Sequence, residues 1–218
     1  MPKLHQKLYD QVFEAILSGR IEPGTRLAET ELAEIYQVSR SVIRRTLQRM
    51  SDEGLVDIRQ NLGARVNCVS HEDAGAIFEA RRVIELGVVE IVCGHLGRET
   101  LGALRDICTE ESTAMADHNR ARGLRLSAEF HLTLAEATRN PVLISYAGNL
   151  MSRSALATAC LERRDPGFCA FGEHEAIVDA LAKGNLDLSR RLMARHIEHI
   201  ASNLEHEPPS LGAVLSAG

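Results

Sequence analysis

The sequence predicts a mainly α protein: an N-terminal winged helix-turn-helix, made of three helices and a β-hairpin, followed by an all-α bundle of about six helices. Three observations predict it. A short helix with a basic face starts at Val38-Ser39 and stops at Gly54. Two alternating stretches, 55–59 and 64–68, follow it at once. From residue 70 onward only helical periodicity appears, with no strand pattern.

Each element has a local reason. Leu4, Leu8, Val12 and Ile16 recur every four residues, which predicts an amphipathic helix from Leu4 to Ser18 that Gly19 stops. Pro23-Gly24 makes a turn. Glu29 to Tyr36 is a second short helix with Leu32, Ala33 and Tyr36 facing inward. Gln37-Val38 leaves room only for a tight corner. Ser39 is placed to cap the third helix with its hydroxyl, and Gly54 to end it in a left-handed conformation. Ile43, Leu47 and Met50 form its apolar back; Arg40, Arg44, Arg45, Gln48 and Arg49 lie opposite, with Ser41 beside them. Such a front suits a DNA major groove, where Arg takes guanine O6 and N7 in a fork and the helix N-terminus suits phosphate. Taken alone, the same arginines equally describe a solvated surface face. The hairpin, turning at Gln60-Asn61-Leu62-Gly63, would lay its tip and Arg65 along the DNA backbone or in the minor groove.

Composition narrows the alternatives. The 218 residues suffice for two modest domains. The absence of Trp, with three Tyr and five Phe, argues against function by aromatic stacking. No apolar run approaches the ~20 residues that span a bilayer, and residues 1–6 lack a signal-peptide core; a cytoplasmic protein without membrane partners is expected. Cys68, Cys93, Cys108, Cys160 and Cys169 are scattered and never form CxxC, so reduced, mostly packed thiols are expected. Net charge is −5, yet six arginines face three acids between Ser39 and Arg65. A local basic patch on an acidic chain fits a specific nucleic-acid site.

The run Leu17-Ser18-Gly19-Arg20-Ile21-Glu22-Pro23-Gly24-Thr25-Arg26-Leu27, then Glu29, Glu31-Leu32-Ala33, Val38-Ser39-Arg40, Arg44, Leu47, Glu53-Gly54-Leu55-Val56 and Gly63 closely resembles the DNA-binding domain of GntR-family transcriptional regulators. The resemblance covers most of residues 5–68. It implies that Ser39, Arg40, Ser41 and Arg44 approach double-stranded operator DNA, and that Gly63 lets the wing come close. Where that family usually continues Val-Arg-Glu-Ala-Leu, this chain has Ile43-Arg44-Arg45-Thr46-Leu47. Arg45 thus adds a positive charge, for tighter backbone contact or for a shifted base preference.

Residues 1–69 are therefore expected to form the DNA-binding domain, 70–205 the helical domain, and 206–218 a disordered tail. The two domains share a short connection and are expected to dock. Helical patterns run over Glu72–His95, Thr100–His118, Leu124–Thr138, Val142–Arg163, Phe171–Lys183 and Leu186–Leu204. Gly123, Asn140-Pro141, Asp165-Pro166-Gly167 and Gly184-Asn185 punctuate them. His131, His174 and His196 stand on three of these helices; a lone His is usually packing, but three can converge in a bundle core.

The Glu129-Phe130-His131 and Glu173-His174-Glu175-Ala176-Ile177 runs, the Gly184-Asn185-x-Asp187 stretch and His196-Ile197 resemble the FCD effector-binding domain of the FadR subgroup. That resemblance implies a metal site from an Asp and three His, at positions matching Ser127, His131, His174 and His196. Ser127 departs from the pattern, because a hydroxyl poorly replaces a carboxylate. Zn or Ni held by three His with open positions is the expected cofactor. Glu129 should point to another side of its helix. Arg81 is the expected grip on the carboxylate of a small organic-acid effector, against the alternative that Arg81 and Arg82 pair with Glu79, Glu85 or Asp73 on the helix surface. Asn140 resembles a pocket position, but Asn before Pro is also an ordinary helix stop. The whole reads as a homodimeric regulator, a repressor, on a palindromic operator. Its rivals are a metal-free pocket on the same fold and a metal-dependent hydrolase using Glu129, Glu173 or Glu175 as base.

Overall fold

The computed structural model describes residues 2–59, 63–161 and 172–204. In order these form α1 (Pro2–Leu17), β1 (Arg26–Leu27), α2 (Glu29–Tyr36), α3 (Arg40–Asp52), β2 (Val56–Arg59), β3 (Gly63–Val66), α4 (His71–Val92), α5 (Arg98–Ala116), α6 (Arg120–Ala137), α7 (Pro141–Leu161), α8 (Glu173–Ala182) and α9 (Leu186–Ser202). The winged helix-turn-helix and the helical bundle are both present, as the patterning dictates. The expected tail, the wing tip at residues 60–62, the Asp165-Pro166-Gly167 break and Cys169 lie outside the described residues. None of the described helices is long and apolar enough to cross a membrane.

The sheet is larger than a hairpin. Strand order is β1-β3-β2, with β3 antiparallel to both neighbours. Arg26 pairs with Arg65 and Leu27 with Ala64, while Val56 pairs with Val66 and Arg59 with Gly63. A two-residue strand carries no readable alternation, so β1 was invisible to pattern reasoning. Its inward residue, Leu27, is buried beside Ala64 and Val66. Gly63 opens β3 with φ +79°, a conformation that favours glycine.

The third helix corrects one expectation. Ser39 is the N-cap residue, but its side chain makes no cap bond; its Oγ lies 2.9 Å from Ser41 Oγ instead. Ser70 behaves as a cap should. Its Oγ accepts from the Asp73 amide at 3.0 Å and Asp73 Oδ2 accepts from the Ser70 amide at 3.2 Å, a reciprocal box that starts α4. Gly54 ends α3 with φ +75° as expected. A second constraint acts there: a Cβ on Gly54 would meet the Arg153 side chain at 2.8 Å.

The two cores are joined. Leu8, Val12, Ile16, Ile43, Leu47, Met50, Leu55 and Val66 pack as one cluster, which also takes in Ala121 from α6 and Ala155 and Leu156 from α7. The other cluster fills the bundle around Phe78, Val89, Leu104, Phe130, Leu134, Ile177 and Ile197. Polar contacts fasten the same seam. Asn149 Nδ2 donates at 2.7 Å to the carbonyl of Asp52, an end-of-helix oxygen that α3 itself cannot satisfy. Glu53 accepts from Ser152 Oγ at 2.9 Å, from Arg49 Nε at 2.9 Å and from the Tyr9 hydroxyl. Burial, then the neighbouring Glu53 carboxylate, push the Tyr9 hydroxyl well above its ordinary pKa, so it remains a donor.

Candidate functional site

Three helices deliver one imidazole each to the bundle interior. His131 sits on α6, His174 on the first turn of α8 and His196 on α9. All three are buried. Their Nε2 atoms form a small triangle: 3.3 Å between His174 and His131, 3.0 Å between His174 and His196, and 3.2 Å between His196 and His131. Phe130 stacks on the His174 ring at a centroid distance of 4.0 Å and fixes its plane.

Each ring turns its other nitrogen to a carboxylate. His131 Nδ1 lies 2.5 Å from Glu85 Oε2, His174 Nδ1 lies 2.7 Å from Glu111 Oε2, and His196 Nδ1 lies 2.9 Å from Glu173 Oε2. A carboxylate accepts, so the Nδ1 of His174 and of His196 donates; His131 Nδ1 and Glu85 Oε2 are in contact but out of hydrogen-bond alignment. In the neutral ring this leaves a bare lone pair on Nε2. Burial drives the His131 pKa down to about 4 and the His196 pKa well below the ordinary histidine value, which keeps both rings neutral near pH 7. Three lone pairs facing one another at this spacing repel unless a cation lies among them. At a Zn–N distance of about 2.0–2.1 Å, tetrahedral geometry places nitrogens ~3.3 Å apart. The donor set therefore fits a divalent first-row ion with each ligand oriented by its own carboxylate.

The remaining predicted positions are distributed unevenly around this centre. Ser127 lies half-buried on α6 one turn before His131. Glu129 is exposed, 3.6 Å from Arg125, and does not join the imidazoles. Arg81 is buried rather than on the helix surface. Its Nε donates to Glu85 Oε1 at 2.7 Å and its Nη1 to Ser154 Oγ at 3.2 Å. Its Nη2 meets no acceptor among the described residues. Burial alone would raise the Glu85 pKa, but the Arg81 charge and then His131 hold it down at about 2. Arg82 is exposed and pairs with Glu198 at 3.6 Å. Asn140 is exposed and caps the start of α7 rather than stopping α6: its Oδ1 accepts from the amides of Val142 at 3.0 Å and Leu143 at 3.4 Å.

On the N-terminal face, Arg40, Ser41, Arg44 and Arg45 are exposed along α3. Arg44 forks onto Glu29, with Nε to Oε1 and Nη2 to Oε2 both at 2.9 Å, and Arg40 Nη2 reaches the same carboxylate at 3.4 Å. Arg49 is committed elsewhere. Beyond Glu53 it donates to Gln6 Oε1 at 2.7 Å and lies 4.2 Å over the Tyr9 ring. Arg65, exposed on β3, donates to the Gly24 carbonyl at 2.9 Å.

Sequence reasoning missed Glu111 outright and did not see Glu85 and Glu173 as ring acceptors. A signal existed for Glu111: it falls on the stripe Leu104, Ile107, Ala114, where an unpaired carboxylate has no place.

Comparison with known proteins places this geometry. Residues 4–66 match the bacterial regulatory proteins of the gntR family, and residues 76–199 match the FCD domain. The chain belongs to the GntR family of transcriptional regulators, in its FCD-bearing branch. The HTH-type transcriptional regulator LutR of Bacillus subtilis is 28% identical over 85% of this chain and 94% of its own. YdhC of the same organism, an uncharacterized HTH-type transcriptional regulator, is 26% identical over 92% and 90%. The Uxu operon transcriptional regulator of Escherichia coli is 25% identical over 92% and 86%. In fold, the chain superposes on E. coli McbR/YncC with a TM-score of 0.80 at 19% identity, over 92% of this chain and 96% of that one. As a GntR regulator it binds DNA and responds to a ligand; its relatives and both of its matched domains are regulators rather than enzymes, which sets aside the hydrolase alternative.

Proposed function

We propose that this GntR regulator is a cytoplasmic homodimeric repressor whose operator affinity is set by a small organic acid bound at a metal held by His131, His174 and His196. The observation that supports the reading is the triangle of Nε2 atoms, with a carboxylate against the Nδ1 of each ring and hydrogen-bonded to it at His174 and His196. With Ser127 offering no charge, three neutral ligands leave the ion's positive charge uncompensated. A ligand carboxylate supplies it, and the unpartnered Nη2 of Arg81 gives that carboxylate a second hold. Zn and Ni both suit imidazole donors.

Helix α7 links the two ends. Ser154 touches Arg81, while Asn149 and Ser152 hold the last residue and the C-cap of α3. A ligand that pulls Arg81 off Ser154 shifts α7 and, with it, the tilt of the reading helix. Such coupling typically amounts to about 1–3 kcal/mol, or 5–150-fold in affinity. Exposed Val83 and Ile91 on α4, and Val142 and Tyr146 on α7, give apolar surface that a second copy would cover. Two copies present two reading helices to half-sites one helical turn apart. At each, Arg40, Ser41, Arg44 and Arg45 face the groove, with Ser39 and Gly63 at close approach and Arg65 along the backbone. Arg49 acts on DNA only by fixing α3 to α1.

Metal analysis by ICP-MS on untagged protein tests the centre. Near one equivalent per chain is expected, absent from His174→Ala. Titration of small carboxylic and 2-hydroxy acids should then show tighter binding with metal than after EDTA. Equal acid affinity in both states sinks the shared site. No metal in the parent, even after incubation with Zn or Ni, turns the three His into lining of a metal-free pocket anchored by Arg81.

A further inference from the structure

The fork between Glu29 and Arg44 joins the first residue of α2 to the exposed front of α3, on the face that meets DNA in the reading above. A surface pair of this kind contributes little to stability, and the Arg44 side chain is 65% exposed. Its geometry is nonetheless specific. The carboxylate takes the side edge of the guanidinium, Nε and Nη2. That leaves the end edge, Nη1 and the second Nη2 hydrogen, with no partner among the described residues. The end edge is what a guanine accepts at O6 and N7. Glu29 is itself anchored: half-buried, and in the first turn of α2, where the helix dipole favours a negative charge. The hydrogen bond from Arg44 holds its carboxyl below the usual carboxylate range, so it is charged at neutral pH.

We infer that Glu29 is a positioning residue for base reading, holding Arg44 by its side edge so that the end edge is presented to guanine. The inference rests on Arg44 facing DNA. Two consequences separate the fork from an incidental ion pair. A long flexible side chain is ordered before DNA arrives, so its ordering cost does not count against the correct base. A carboxylate beside Arg44 also repels phosphate, which steers this arginine away from the backbone and onto a base edge. Arg45, exposed one residue further along α3, has no such partner among the described residues and serves the backbone.

Binding selection from a pool of randomised duplexes, followed by sequencing, tests this on the full chain. Arg44→Ala should abolish a guanine preference at one position of each half-site. Glu29→Ala should weaken that same preference about tenfold, within the range of one bidentate contact, without loss of affinity for random duplex. Glu29→Gln, which keeps one acceptor but no charge, should fall between, and it serves if the alanine protein melts early. In the Arg44→Ala background the Glu29 change should alter no base preference. A Glu29→Ala profile equal to the parent, or altered at positions that Arg44→Ala leaves alone, overturns the inference. Identical profiles for the parent and Arg44→Ala would instead remove Arg44 from DNA reading.

Discussion

The imidazole centre and the reading face both gather charged and titratable groups, yet they are built in opposite ways. In the bundle every ring of the three is buried, and its far nitrogen faces a carboxylate from another helix. At the front of α3, Arg40 and Arg44 are exposed, and the partner they share in the free protein is the Glu29 carboxylate. A buried group must be satisfied within the chain, because leaving it bare costs full desolvation. An exposed one can wait for a partner, because water satisfies it meanwhile. The rings are thus set before a ligand arrives, with the Arg81 Nη2 alone of the Arg81 nitrogens left open to it, and the face is completed by DNA.

If that contrast holds, substitutions behind the rings should have large effects. Glu111→Gln keeps the shape and removes the acceptor charge behind His174. Metal affinity should fall about 10–100-fold, measured by competition with a chromophoric chelator; unchanged affinity would make Glu111 mere packing. Acid should act next. The metal-free fold keeps His131 neutral, with a pKa near 4 against about 6.5 unfolded, so the unfolded chain binds the extra proton. Stability is then full above pH 6.5 and falls as pH drops toward 4. The loss is about 2 kcal/mol at pH 5 from His131 alone, read by denaturant melts of the parent against His131→Ala. The Glu85 contribution is lost lower, as pH falls from 4.5 through about 2.

On the open face the expected changes are smaller and differ in kind. Arg45→Ala should weaken binding equally on all duplexes and reduce the salt slope by about 1, in fluorescence anisotropy at several ionic strengths. A base-selective loss would transfer the reading role from Arg44 to Arg45. Smallest of all is the cap comparison. Ser39→Ala should cost under ~0.5 kcal/mol, since its hydroxyl bonds Ser41, whereas Ser70→Ala, with a true box, should cost about 1 kcal/mol. Equal costs would mean that the Ser39 hydroxyl caps in solution.

The fold was legible because its elements carry strong local signals. Periodic Leu4, Leu8, Val12 and Ile16, the stop at Gly54 and the alternation on either side of the wing all lie within a few residues of what they specify. What stayed hidden was non-local. Strand β1 exists only because β3 pairs with it. The Ser39 hydroxyl chose a neighbouring hydroxyl over the amide that capping rules assign it. The three His were visible as helix residues and, by resemblance, as a set; the carboxylates behind them were not. The apolar stripe around Glu111 signals a buried partner but not which ring supplies it, and nothing at Glu85 announces that a ring from α6 will arrive. Arg49 shows the same limit from the other side: its place in a basic run suggested DNA, and its contacts with Tyr9, Gln6 and Glu53 were not legible there.

Ala121, Ala155 and Leu156 lie in the hydrophobic cluster of the DNA-reading unit although they belong to α6 and α7. Leu156 is fully buried there. The reading unit therefore has no finished underside of its own. A hybrid regulator made by cutting between Val66 and His71 and attaching a foreign sensor half would inherit an unfilled socket. Transplanting the three α6 and α7 residues with the N-terminal part, and not the linker alone, is what would make such parts interchangeable.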